Sequence, residues 1–218
     1  MISLFLAGIV LTSCTGDISN TNIAPQVLVD GTDVLINELE AEVSHYESTS
    51  LSNEDLYVVN DEFFVDRDMT EKDIIDKLGY PKNFYYDNYG YISSENGMVR
   101  WQLDYFKDNE SDIGIRVLLL SEQGDTRNDM DRYINTNILG IYLHSVDTSR
   151  GIRVGDTKEK LFKTYGKPDI IRRYSANNEF IEIIYKGNTG NIRFTLDEKV
   201  EKIEYILIDY AGDELFGN

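Results

Sequence analysis

Thr157–Pro168 (TKEKLFKTYGKP) is the stretch on which the fold turns. Its apolar residues Leu161, Phe162 and Tyr165 stand at i, i+1 and i+4, one face of a short helix. Gly166 reads as the left-handed terminator, and Pro168 two residues later prevents continuation. The same grammar occurs 87 residues earlier in Thr70–Pro81 (TEKDIIDKLGYP), with Ile74, Ile75 and Leu78 as the apolar face and Gly79 and Pro81 as the stop. Asp156 with Glu159, and Asp68 with Glu71, read as N-terminal capping pairs. Both glycines are expected at positive φ.

Working outward, strand-like runs follow each helix. After the second helix they fall at about 170–174, 179–186, 191–196 and 200–208, separated by Asn188–Asn191 and Asp197–Glu198. After the first they fall near 84–86, 98–106 and 113–121, with a further run at 138–144 and a polar excursion at 122–137. Leu35, Leu39, Val43 and Tyr46 predict a helix over about 35–48, and 48–55 (STSLSNED) reads as a linker. The fold class expected is α+β, as two tandem units, each a short helical segment packed on an antiparallel sheet. The organisation is then 1–13 signal peptide, 14–60 tether plus N-terminal helix, 61–148 first unit and 149–218 second unit.

Gly151–Leu161 (GIRVGDTKEKL) with Tyr165–Pro168 resembles the helix-then-sheet unit of small bacterial lipoproteins related to the outer-membrane-assembly lipoprotein SmpA. It is also similar to the tandem units of the β-lactamase inhibitory protein. The resemblance covers roughly 61–210 and implies helical segments on antiparallel sheet that serve as protein-binding surfaces. It carries no functional residue onto a position of this chain.

Ile2–Leu11 (ISLFLAGIVL) is an apolar run of ten, the length of a signal-peptide core and about half a membrane span. Leu11-Thr12-Ser13-Cys14 resembles the lipobox of bacterial lipoproteins, which implies lipidation of Cys14, the single cysteine of the chain. Two or more acyl chains there anchor stably where one binds only marginally. The small polar residues after Cys14 read as a tether.

The 218 residues carry a net charge of −18, the wrong sign for a nucleic-acid surface. One cysteine excludes a disulfide scaffold. The surplus is lopsided, with 21 acidic and 6 basic residues in 1–110 against 18 and 15 in 111–218. His144-Ser145-Val146-Asp147 contains triad residue types, but near neighbours on one strand cannot fold onto one another as nucleophile, base and orienter. Asp108–Gly114 has acids at alternate positions without the glycine and glutamate that an EF-hand loop requires, and Asp125, Asp129 and Asp131 are no stronger. No phosphate loop, dinucleotide fingerprint or nucleophile elbow occurs. No catalytic residue, metal or cofactor is expected.

Phe84–Tyr91 (FYYDNYGY), followed by Trp101, clusters amphipathic rings around Asn88 and Gly90. Such rings give large contact area at low entropic cost, which makes Tyr86, Tyr89, Tyr91 and Trp101 the candidate binding residues. The function expected is a lipid-anchored extracytoplasmic binding or interaction protein without catalysis, attached to the cell membrane through Cys14. Its partner is expected to be an extracytoplasmic protein or peptide, a basic one on the reading of the acidic surplus as a contact surface, and no nucleic acid. The alternatives are a cell-envelope hydrolase using paired carboxylates, or a structural or sensory spacer. Cys14→Ala should abolish fatty-acid labelling and release the protein from the membrane fraction; unchanged labelling and fractionation would overturn the lipobox reading.

Overall fold

In a computed structural model, residues 31–59, 63–81, 83–86, 98–106, 112–122, 138–173 and 180–211 are described. The two short helices start on threonine hydroxyls. Helix α2 (Glu71–Leu78) begins after Thr70, whose Oγ1 accepts the Asp73 N–H at 3.3 Å while the Asp73 carboxylate accepts the Thr70 N–H at 2.8 Å. Helix α3 (Lys158–Tyr165) begins after Thr157, whose Oγ1 accepts the Lys160 N–H at 3.3 Å. The aspartate caps expected from the sequence stand one or two residues too early to receive these amides. Asp156 accepts the Arg153 N–H at 2.9 Å and pairs with Lys160 at 2.7 Å instead.

At the other end the glycine expectation holds, with φ of 81° at Gly79 and 74° at Gly166. Their ψ angles of −176° and −151° send the chain out extended, in a region only glycine occupies freely, instead of into a left-handed turn. Each glycine N–H still closes the last helical bond, at 2.8 Å, to Ile75 and Phe162 respectively. Each glycine carbonyl then accepts a tyrosine hydroxyl from the sheet: Tyr105 on Gly79 at 3.2 Å, Tyr185 on Gly166 at 2.9 Å.

Among the described residues eight strands follow the two helices: β3 (Asn83–Tyr86), β4 (Met98–Phe106), β5 (Ile113–Glu122) and β6 (Ile138–Leu143) after α2; β7 (Ile170–Arg173), β8 (Phe180–Lys186), β9 (Asn191–Asp197) and β10 (Lys202–Asp209) after α3. The sequence reading attaches a sheet to each helix. The structure joins all eight strands into one antiparallel sheet, in the order β3-β4-β5-β6-β10-β9-β8-β7. The junction is β6 against β10, with Leu143 opposite Ile206 and Ile141 opposite Ile208. A small hairpin of β1 (Val58–Val59) and β2 (Phe64–Val65) stands apart.

Alternate residues of the sheet, among them Leu103, Ile115, Val117, Ile141, Ile183, Phe194 and Ile206, point to one face. There they form a single core with Ile74 of α2 and with Leu161, Phe162 and Tyr165 of α3, the apolar positions expected from the sequence. Helix α1 (Gly31–Val43) adds Leu39 and Val43. It ends five residues before the expected boundary because residues 44–49 have another task. The Glu47 carbonyl accepts the Lys167 N–H at 3.0 Å, and the Thr49 hydroxyl donates to the Tyr165 carbonyl at 2.6 Å, satisfying an acceptor that the end of α3 leaves open.

The segment read as a linker is likewise packed. Its Leu51, and Leu56 and Val58 just beyond it, are buried in the core. The Arg150 guanidinium grips the buried Asp55 carboxylate through two bonds of 2.6 Å and lies 4.9 Å from the centre of the Tyr165 ring. Burial alone would raise the Asp55 carboxyl; the bonds from Arg150, the Ser52 N–H and Ser149 outweigh it and hold the carboxyl below its ordinary range.

The two helix-end glycines differ in their surroundings. A Cβ at Gly166 would lie 2.2 Å from the Glu47 carbonyl oxygen and 2.4 Å from Thr49 Oγ1, whereas one at Gly79 meets nothing within 4 Å. Gly79→Ala should cost about 1–3 kcal/mol, the backbone strain alone, and Gly166→Ala about 1–3 kcal/mol more because residues 47–49 must also move. Urea denaturation measures both, and equal losses would contradict this packing.

Candidate functional site

The residues alternating with the core positions occupy the second face of the sheet. One row crosses six strands in register: Asp104 opposite Arg116, Arg116 opposite Tyr142, Tyr142 opposite Leu207, Leu207 opposite Arg193, and Arg193 opposite Ile184. A second row sets Tyr205 opposite Thr195, Thr195 opposite Glu182 and Glu182 opposite Arg172. Antiparallel pairing brings such cross-strand partners within about 5 Å of one another at Cβ.

Opposite charges face each other along these rows. Arg116 binds Asp104 through Nε at 2.6 Å and Nη2 at 3.0 Å, a bidentate pair. Arg193 donates to Asp209 from Nε at 2.8 Å and Nη2 at 2.5 Å, and reaches Glu182 at 3.4 Å. Arg172 completes the set on Glu182 at 2.6 Å. Arg193 is 3% exposed and Asp209 0%, so these charges are tolerable only as pairs.

Between Arg116 and Arg193 lies a cavity of about 250 Å³. Leu118, Tyr142 and Leu207 contribute its apolar part; Gln102, Arg116 and His144 line one side, and Glu182, Arg193, Thr195 and Tyr205 the other. Burial and the Arg116 charge depress the His144 pKa, so the imidazole is neutral at neutral pH. Its buried Nε2 has no hydrogen-bond partner among the described residues. Tyr205 is 49% exposed and packs its ring edge-on to Phe180, with centroids 6.4 Å apart.

A smaller hollow of about 120 Å³ lies beside α1, with Leu35, Leu39, Ile181 and Leu196 among Glu38, Glu42, Asp197, Glu198 and Glu201. Lys158 is held there by Glu42 at 2.8 Å and Glu201 at 2.9 Å. Among the described residues no three potential metal ligands gather, and no helix is long and apolar enough to cross a membrane.

Of the residues singled out in the sequence, Tyr86 on β3 and Trp101 on β4 are direct register partners. Tyr89, Tyr91, Cys14, Asp108–Glu110 and Asp125–Asp131 lie outside the described residues. His144, Ser145 and Asp147 diverge: the Ser145 hydroxyl donates to the Ile113 carbonyl at 3.2 Å, and Asp147 pairs with Arg153 at 2.7 Å. The sequence reading did not single out Gln102, Arg116, Tyr142, Glu182, Arg193, Thr195 or Tyr205. A signal was available in IGIRVLLL and NIRFTL, where an arginine interrupts an otherwise apolar central strand. Such a charge demands a buried partner, although the strand alone does not say which.

No protein-family model matches the chain, and no curated protein matches it. Among solved structures it is similar to the DUF4309-family protein YjgB of Bacillus subtilis subsp. subtilis str. 168, at 14% identity and a TM-score of 0.36 over 66% of this chain and 79% of that one. It is similar to an extracellular protein containing an SCP domain from Bacillus anthracis str. Ames, at 9% identity and a TM-score of 0.40, covering 72% of this chain and 51% of that one. A third is a cysteine-rich secretory protein of Staphylococcus aureus subsp. aureus Mu50, at 12% identity and a TM-score of 0.36, covering 64% and 43%.

Removing one member of the buried charge set should cost more than removing its charge and keeping its shape. Asp209→Ala leaves Arg193 short of its closest partner and should lose about 3–5 kcal/mol in urea denaturation. Asp209→Asn, which still accepts a hydrogen bond, should lose less; equal losses would mean that Arg193 is satisfied elsewhere.

Proposed function

We propose that this chain is a lipid-anchored, extracytoplasmic binding protein without catalysis, built of two tandem helix-plus-sheet units, that receives its ligand on the second face of the shared sheet. The carrying observation is the cavity between Arg116 and Arg193, where polar, aromatic and apolar side chains converge on a pre-formed floor. The charges around it are bound to one another. Glu182 at the cavity pairs with Arg172 and Arg193, and Asp209 pairs with Arg193. That favours binding over a hydrolase, which needs two carboxylates with pKa values pushed apart.

The tandem reading draws on topology. α2 is followed by β3 to β6 and α3 by β7 to β10, and the sheet runs outward from the last strand of each set. The glycine–tyrosine bonds are equivalent too, because Tyr105 and Tyr185 both lie on the second strand of their set. This arrangement is compatible with the helix-then-sheet unit of SmpA-related lipoproteins. The lipid anchor rests on Leu11–Cys14.

Hydrogen exchange on the full chain tests the binding site. A soluble extract of the cell envelope should slow exchange in β5, β6, β9 and β10 relative to buffer. Unchanged exchange in those strands, or chemical turnover of material in the extract, would overturn the proposal.

A further inference from the structure

We propose that the cavity on the second sheet face takes a single neutral sugar ring, an inference that rests on the binding reading above and specifies its ligand. Charge comes first. Among the described residues Arg116, Arg172 and Arg193 are paired with Asp104, Glu182 and Asp209. To gain an ion pair, a charged ligand would have to draw an arginine or a carboxylate away from its partner, uncovering a buried charge. A neutral ligand leaves every pair intact.

Hydrogen-bonding chemistry comes second. The Gln102 amide, the Thr195 hydroxyl, the Glu182 carboxylate and the neutral His144 imidazole together offer donors and acceptors around one cavity. A purely apolar ligand would strip water from these groups without replacing it. A ring carrying several hydroxyls, each donor and acceptor at once, replaces that water group for group.

Shape and size come third. Tyr142 is half-buried in the cavity, and Tyr205 stands half-exposed beside it, its ring braced by Phe180. Amphipathic rings of this kind pack against C–H surface while their hydroxyls stay wet, as the apolar face of a sugar requires. About 250 Å³ is several times the share of one water molecule and lies below the range of drug-sized ligand pockets, which suits one ring. An extended peptide cannot add as a strand, because β6, β10 and β9 each have neighbours on both sides.

The test is a two-dimensional NMR titration of the full chain with N-acetylglucosamine, glucose and galactose, with acetate and ethylammonium as charged probes. At least one sugar should give saturable shifts at the amides of Gln102, Tyr142, Thr195 and Tyr205, with the same midpoint in low and high salt. Tyr205 is exposed enough for Tyr205→Ala to fold, and that change should weaken binding by about fivefold or more, while Tyr205→Phe keeps it within about twofold. The proposal is overturned if no sugar gives saturable shifts at these amides, if only a charged probe does, or if Tyr205→Ala binds as tightly as the parent. Should the sugars fail while envelope extract still slows exchange on this face, the sugar assignment falls and the binding reading stands; if neither has an effect, both fall.

Discussion

The pairing of β6 with β10 is the contact on which the rest of the structure depends. It joins the strands after α2 to those after α3 and makes one sheet and one core of them. Its register places Tyr142 opposite Leu207 and Ile141 opposite Ile208. A slip of one residue would turn every side chain of one half to the other face, sending Arg193 and Asp209 into the core and Ile192, Phe194 and Ile208 out of it. The apolar core on the first face and the ionic layer on the second therefore specify the same register from opposite sides.

The ionic layer adds little to stability beyond what an apolar layer would give. Well-packed hydrophobic residues would hold the second face at least as firmly as arginine–carboxylate pairs, since desolvation offsets most of their attraction. An apolar layer would accept several arrangements, whereas Arg193 accepts only those that deliver Asp209 and Glu182 to it. The same layer leaves a cavity with polar walls, whose charged residues Glu182 and Arg193 are paired within the layer.

The N-terminal segment shows how context redefines local sequence. Residues 44–47 read as the end of a helix and 48–55, polar and rich in serine, as a linker, which Leu56 follows. In the structure they supply Glu47 and Thr49 to the end of α3, Asp55 to Arg150, and Leu51 and Leu56 to the core. That crowding separates Gly166 from Gly79. Both need positive φ for the same local reason, yet Gly166 alone of the two also needs the absence of a side chain.

Much of the architecture was legible in the chain. The strands at 98–106, 113–121 and 191–196 lie within a residue of those observed, because apolar, β-branched and aromatic runs bounded by turn residues are a local signal. The helix faces Ile74–Ile75 and Leu161–Phe162–Tyr165 and the stops at Gly79 and Gly166 were legible for the same reason: helix period and glycine conformation are local. The caps were misread by one or two residues, since aspartate and threonine compete for the same role and the helix start decides between them. The aromatic segment drew attention by composition, while the cavity gathers residues as distant as Gln102 and Leu207 that share no local pattern. By itself the sequence determined periods, turns and the likeness of Leu11–Cys14 to a lipobox. Which arginine meets which carboxylate, that eight strands make one sheet, and where a cavity opens were decided by the tertiary structure, because strand register is set by contacts between residues far apart in the chain.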